Sequence, residues 1–137
     1  MKSTYSTLLQ SKFFTPAFNS AIFDGPVRIY FSQFHEALAL KIYFNLQQNL
    51  SSLMTKAKTI HKQTGRNVLV MLYPTQDSFQ MSFEGSDSLL VQDSLDGDSL
   101  IGINGPFEDD LLPEVIRAIS NSISAWEAPQ SAIEATL

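Results

Sequence analysis

The sequence predicts an α+β protein, a two-layer sandwich in which two helices cover an antiparallel sheet of about five strands. The first indication is composition, since 44% of the 137 residues are apolar and 17% are charged, as in globular proteins. The second is the middle of the chain, where turn residues separate short apolar runs of strand length. The third is a pair of flanking segments with helical spacing of apolar residues. The predicted order is β–α–β–β–β–β–α, with a long first helix.

One folded domain is expected over residues 21–128, because a chain of 137 residues fits a single domain and can bury a core. Residues 1–20 are rich in Ser and Thr and are predicted to be a tail or a short helix across Leu8–Phe14. Residues 129–137 are predicted to be a second tail.

The first strand is predicted over Val27–Phe31, where apolar residues alternate after the turn signal Asp24-Gly25-Pro26. Ser32 can cap a helical pattern that follows, from Phe34 to Lys62. A continuous helix of that length would span ~43 Å at ~1.5 Å per residue, more than a domain of this size. We therefore expect that one end projects or that the helix breaks near Asn49–Ser52.

Four further strands are predicted after the long helix. The continuous apolar run Val68–Tyr73 is typical of a central strand with both faces covered. Phe79, Met81 and Phe83 alternate with polar residues, which favours a half-exposed strand in a hairpin. Leu89–Val91 and Leu100–Ile103 are two more short strands.

A last helix is predicted to begin after a cap at Asp109 or Asp110, with Pro113 in its first turn. Its apolar residues step by helical intervals and should lie against a core: Leu112, Ile116, Ile119, Ile123 and Trp126.

The segment DSLDGDSLIGING, residues 93–105, raises the question of a cation site because it holds three aspartates. An EF-hand loop carries a glycine at its sixth position and a bidentate carboxylate at its twelfth. With Gly97 as that glycine, the twelfth residue is Ile103, which has no carboxylate. Asp96-Gly97 between apolar segments favours a hairpin turn instead. A weak cation site of another kind stays open as the alternative, formed by Asp93, Asp96 and Asp98.

The charge is divided between the two halves of the chain. Residues 1–66 hold eight of the nine Lys and Arg residues and two of the fourteen Asp and Glu residues, a net charge of +6. Residues 67–137 carry −11. One interpretation is internal, with a basic element lying against an acidic remainder. The other is a two-signed surface for a partner or for a second copy of the chain.

Basic or potentially basic groups gather at the end of the long helix: Lys56, Lys58, His61, Lys62 and Arg66. Positive charge there complements the helix dipole and can also bind an acidic partner segment. With the exposed strand residues Phe79, Met81 and Phe83, these are the predicted partner-binding residues. Nucleic acid is not an expected partner, because an isoelectric point of about 4.8 leaves only a weak footprint for it.

Motifs for catalysis, metals or cofactors are not found in the sequence. His35-Glu36 begins like the zinc-hydrolase motif H-E-x-x-H, but the position of the second histidine is Ala39. The phosphate-binding glycine motifs and G-x-S-x-G are missing. The chain has no cysteine, which excludes disulfides, thiolate metal sites and cysteine nucleophiles. We therefore expect no catalytic residue, no metal and no cofactor, and the sequence favours a non-enzymatic protein.

The expected location is the cytoplasm, without membrane contact. Apolar stretches fall short of the ~18–20 residues of a membrane-spanning helix. Residues 1–20 lack the unbroken apolar core of a secretory signal.

These observations favour a protein-interaction or regulatory module that self-associates as a homodimer. In size, acidity, α+β sandwich and helix-mediated dimers the chain resembles the small acidic chaperones of type III secretion, which implies a partner polypeptide. It differs from them because four strands follow one another without that family's intervening helix. A third hypothesis is a small-molecule sensor or enzyme with a pocket between sheet and helices, lined by Tyr30, Phe44, Tyr73 and Phe83.

Overall fold

A mixed sheet of five strands forms the centre of the protein in a computed structural model that describes residues 4–86, 88–105 and 111–126. The strands are β1 (Ser20–Asp24), β2 (Val27–Phe31), β3 (Val68–Tyr73), β4 (Leu90–Leu95) and β5 (Asp98–Asn104). Their spatial order is β1-β2-β3-β5-β4. The central strands β2, β3 and β5 are parallel, and the edge strands β1 and β4 are antiparallel to their neighbours. The α+β class is confirmed, but the purely antiparallel sheet and the predicted element order are wrong.

Helices cover both faces of this sheet, which makes three layers rather than the predicted two. The described helices are α1 (Thr4–Leu9), α2 (Glu36–Asn49), α3 (Ser51–Thr64), α4 (Gln76–Ser82) and α5 (Leu111–Ala125). The main core lies between one face of the sheet and α2, α3 and α5. On the opposite face a second core contains Leu8, Phe13, Phe18, Phe79 and Phe83. The described helices include none long and apolar enough to cross a membrane.

The long helical pattern is divided at Leu50, within the predicted range Asn49–Ser52. Leu50 leaves the helical region with φ −124° and ψ 29°, while its N–H still bonds the carbonyl of Leu46 at 3.1 Å. Two serines follow it, and serine favours helix starts over helix interiors. The break lets both halves pack on the sheet, and α3 then ends as predicted at Gly65, with φ 73°.

The strand predicted around Phe79 is wrong, because residues 76–82 form α4. The hydroxyl of Thr75 accepts a hydrogen bond from the N–H of Ser78 at 3.1 Å, and the Ser78 hydroxyl accepts one from the N–H of Thr75 at 3.3 Å. This reciprocal cap starts a helix. Residues 79 and 83 then lie one helical turn apart on the buried side, while Met81 is 83% exposed.

The hairpin of β4 and β5 confirms the predicted turn at Asp96-Gly97. Asp96 has φ 53° and Gly97 has φ 91°, the positive values that a type I′ turn needs at both central residues. The two strands extend beyond the predicted ones and pair from Leu90 opposite Ile103 to Leu95 opposite Asp98.

The strand β1 is missing from the predicted order, in which residues 1–20 are a tail or a short helix and Asp24-Gly25-Pro26 is a turn before the first strand. It pairs with β2 across the two-residue turn Gly25-Pro26, in which Gly25 has φ 58°. Glycine at the first central position is the signature of a type II′ hairpin.

The last helix buries Ile119, Ile123 and Trp126 as predicted, whereas Leu112 and Ile116 are only half-buried. Its predicted cap at Asp109 or Asp110, and the predicted tail over residues 129–137, lie outside the described residues.

Candidate interaction surface

The basic cluster predicted at the end of the long helix lies on the last three turns of α3 and just after it. Lys58 pairs with Asp24 at 3.5 Å and packs against the β1–β2 turn, so close that a Cβ at Gly25 would lie 2.7 Å from its Cγ. The Nδ1 atom of His61 lies 2.9 Å from the carbonyl oxygen of Arg66. Lys58 and His61 therefore hold the fold together locally, and Lys56, Lys62 and Arg66 are exposed to solvent.

The predicted apolar contact residues are separated by the structure. Phe79 and Phe83 are buried in the second core, where their rings lie 4.8 Å apart and each lies 5.6 Å from the ring of Tyr73. Met81 alone of the three faces solvent. The exposed strand predicted for all three does not form, and Phe79 and Phe83 are instead packed in the second core.

Of the four residues predicted to line a sheet–helix pocket, Tyr30, Tyr73 and Phe83 lie together in the second core and Phe44 lies apart from them. Tyr73 is buried among aromatic rings and donates a hydrogen bond from its hydroxyl to the carbonyl of Phe13 at 2.6 Å. Burial raises the pKa of the Tyr73 phenol far above its usual value, and a hydrogen bond with Ser82 offsets this only in part. Phe44 is 50% exposed on the outer side of α2. Tyr73 is therefore a structural hydrogen-bond donor that ties the N-terminal segment to β3.

Within the described part of the chain, few direct ion pairs join the basic half to the acidic half. Lys12 lies 3.6 Å from Glu84 and joins the basic half to the acidic half. The pairs Lys58–Asp24 and Arg117–Glu114 each stay within one half. The basic end of α3 is thus not neutralised there by acidic side chains of residues 67–137.

The three aspartates of the β4–β5 hairpin, Asp93, Asp96 and Asp98, do not form one site. Asp98 accepts hydrogen bonds from the N–H of Asn67 at 2.9 Å and from its side-chain amide at 3.4 Å, which ties the start of β5 to the start of β3. Burial raises the pKa of the Asp98 carboxyl, while the bonds from Asn67 and the charge of Arg28 lower it in part. Asp93 accepts the N–H of Ser94 at 2.8 Å. Among the described residues, no group of three potential metal ligands forms.

The carboxyl ends of the parallel strands, where open sheets commonly bind ligands, hold polar but uncharged side chains. Asn104 donates from Nδ2 to the carbonyl of Ser88 at 3.2 Å, and its buried Oδ1 has no hydrogen-bond partner among the described residues. Ser32 accepts the N–H of Phe34 at 3.4 Å and caps a short 3-10 turn. These contacts hold the loops that leave the sheet.

A groove of about 510 Å³ follows the outer edge of the sheet beside β1. Phe23 is 58% exposed at this groove, its ring centroid lying 5.9 Å from that of Tyr30. The guanidinium of half-buried Arg28 lies 4.9 Å from the centroid of the Phe23 ring. The lining is mainly apolar and aromatic, and it includes Phe18, Ala21, Phe23, Arg28 and Tyr30.

A second groove, of about 410 Å³, runs between the end of α2 and the first turns of α5. Its apolar floor is formed by Leu50, Leu112 and Ile116, and Arg117 at its rim pairs with Glu114 at 3.5 Å. This groove explains why the outer residues of the predicted apolar series on α5 are only half-buried.

Comparison of the chain with protein-family models, with curated proteins and with solved structures finds no match. The candidate surface is therefore defined by geometry alone. Sequence reasoning missed β1 entirely, although a signal for it was present. Apolar residues flank Gly25-Pro26 on both sides, and a two-residue loop that begins with glycine indicates a hairpin.

Proposed function

We propose that the chain is a non-enzymatic protein-interaction or regulatory module that associates with itself. The observation that carries the proposal is the edge at β1, the outermost strand, which is unpaired on its outer side among the described residues, borders an apolar groove and presents a largely exposed phenylalanine. A strand edge without protecting charges is a template for pairing with another chain. The carboxylate of β1, Asp24, is only 13% exposed and is already neutralised by Lys58.

A second apolar surface supports an interaction role and lies on the outer side of α2. Leu40 and Phe44 are one helical turn apart there, 36% and 50% exposed, and Phe34 just before the helix is 84% exposed. Exposed apolar side chains are common singly, but a pair on one helix face gives a partner a continuous contact. This surface is available for a second partner once β1 is occupied.

Sedimentation velocity over a dilution series tests the proposal. The chain has a mass of 15.3 kDa, and we expect a species of twice that mass which dissociates on dilution. A single species of monomer mass at every concentration would contradict self-association. Such a monomer would favour the alternative in which β1 receives an extended segment of a different polypeptide.

A further inference from the structure

We infer that the occupant of the β1 edge is β1 of a second copy, paired antiparallel about Ile22, so that two sheets join into one continuous sheet. This inference rests on the proposed self-association and names the surface that performs it. It follows from three features of β1: the direction of its backbone groups, the spacing of its side chains and the placement of its charges.

The backbone of β1 presents hydrogen-bonding groups at two positions. In a two-residue hairpin the residues that close the turn exchange hydrogen bonds, and bonded and non-bonded pairs alternate from there. Asp24 and Val27 close this turn, so Ile22 and Ser20 also bond toward β2. The N–H and C=O groups of Ala21 and Phe23 therefore point to the free edge of the sheet.

An antiparallel arrangement about Ile22 satisfies these groups with their equivalents. Ala21 then stands opposite Phe23 of the second copy, and the two residues exchange N–H···O=C bonds. The same exchange repeats on the other side of the two-fold axis, because an interface of this symmetry uses one surface twice. Ile22 faces its own equivalent as a non-bonded pair between the two exchanges.

The side chains fit the same register. Ala21 and Phe23 lie on the sheet face that carries Tyr30 and Arg28. Across the joined strands, Phe23 of one copy lies over Ala21 of the other, where the small methyl side chain leaves room beside Tyr30. Each copy thus contributes the ring of Phe23 and a space over Ala21 that receives the ring of the other copy. In this arrangement the groove beside β1 is filled in both copies.

The charges permit the register as well. Asp24 stands opposite Ser20 of the second copy, so that no two carboxylates face each other across the axis. Like charges directly opposite on paired strands are destabilising, and this arrangement avoids them. The self-complementary spacing favours a second copy over an unrelated strand, which would have to match an alanine and a phenylalanine two residues apart.

Cysteine cross-linking tests the register, since the chain has no cysteine of its own. In the variant Ile22→Cys the two introduced residues form a non-bonded antiparallel pair with Cα atoms roughly 4.5 Å apart, within disulfide reach. We expect a disulfide-linked dimer under mild oxidation that dithiothreitol returns to monomer. The matched control is Gln92→Cys, an exposed position on the opposite edge strand, which should stay uncross-linked.

A second pair of variants guards against a folding defect at half-buried Ile22. Ala21→Cys and Phe23→Cys both lie at exposed positions, and mixing the two chains should give a cross-linked heterodimer. Ala21→Cys alone should not cross-link, because its equivalents are offset by two residues, roughly 8–9 Å, beyond disulfide reach.

The outcomes separate the register from the proposed function. A reversible dimer in sedimentation with no cross-link in either experiment would overturn the β1 register while leaving self-association intact. A wild-type chain that is monomeric at every concentration would overturn both. A cross-link in the mixture of Ala21→Cys and Phe23→Cys, and not in either chain alone, supports the register even if Ile22→Cys fails to fold.

Discussion

β1 and β4 occupy equivalent places at opposite edges of one sheet, and each joins its neighbour through a two-residue turn. On β4, the alternation from the closing pair Leu95–Asp98 directs the N–H of Ser94 to the free edge. The carboxylate of Asp93 accepts that N–H at 2.8 Å. On β1, the outward N–H groups belong to Ala21 and Phe23, and the residues before them, Ser20 and Ile22, carry no charge.

The comparison indicates that the protection of a sheet edge can depend on one side chain. An acidic residue next to an outward N–H both uses the donor and places a charge where another strand would lie. A strand of alanine, isoleucine and phenylalanine does neither. The β4 edge is thereby protected at Ser94, and the proposed pairing of β1 with a second copy would not continue into an endless chain of sheets.

The largest expected effect comes from Phe23→Lys, which places a charge at the centre of the inferred interface. We expect the dimer to weaken at least a hundredfold, about 2.8 kcal/mol, because burying an unpaired ammonium group is costly. Sedimentation velocity measures the change. The control is Leu89→Lys, an apolar residue 65% exposed beside the β4 edge, which should dimerise like wild type. Equal dimers in both variants would remove β1 from the interface.

Gly102→Ala should be next in size and should affect folding rather than pairing. A Cβ at residue 102 would overlap the ring of Phe83, which is packed among other rings. We expect the free energy of unfolding to fall by about 2 kcal/mol in urea denaturation, with the β1-mediated dimer retained. The double variant Gly102→Ala/Phe83→Leu should recover part of the loss, and strictly additive effects would show that the two residues do not meet.

Asp93→Val should open the second edge. The N–H of Ser94 loses its acceptor and the strand loses its charge, so that β4 becomes able to pair in the way proposed for β1. We expect species larger than a dimer by light scattering, growing with concentration. Asp96→Asn, in the adjacent turn, removes the same charge, tolerates the positive φ of that position and frees no edge N–H, so it should remain dimeric. Larger assemblies in both variants would attribute the effect to net charge.

The smallest expected effect concerns the pH dependence at Asp98, near the start of β5. Burial raises the pKa of this carboxyl in the folded state, so folding favours its protonated form. That contribution to stability is complete below the pKa of the unfolded chain and is lost as pH rises through the folded pKa. Asp98→Asn cannot ionise, and its stability relative to wild type should therefore increase from about pH 4 to 7. Urea denaturation along this range checks the trend, and a flat difference would contradict it.

Sequence patterns predicted those elements whose structure depends on neighbouring residues. The apolar run Val68–Tyr73 is the fully buried central strand, and Asp96-Gly97 is the turn, because turn chemistry and burial on both faces leave few alternatives. The spacing of Phe79, Met81 and Phe83 does not decide between a strand and a helix, because residues 79 and 83 share a face in either structure. The cap formed by Thr75 and Ser78 decides between them.

Tertiary contacts determine the rest, and these are not visible in local spacing. Parallel strands need a connection that returns the chain to the same end of the sheet, as α2 and α3 do between β2 and β3. The candidate surface was hidden for a related reason. Residues 20–24 form a short strand of mixed composition, and its main sequence signal is the two-residue Gly25-Pro26 turn that places Ile22 opposite Ile29. The predicted basic cluster is present at the end of α3, but Lys58 and His61 in it contact neighbouring parts of the fold.

The hydrogen bond from Tyr73 to the carbonyl of Phe13 spans 60 residues of sequence. During synthesis the N-terminal segment appears first, yet the sheet face that receives it is complete only after β5 has formed. Contacts that close long loops form late, because the chain loses conformational entropy before the contact contributes any stabilising energy. The N-terminal segment should therefore pack into the second core in one of the last steps of folding. Stopped-flow kinetics would detect this as an unfolding rate, rather than a folding rate, that responds to Phe18→Ala.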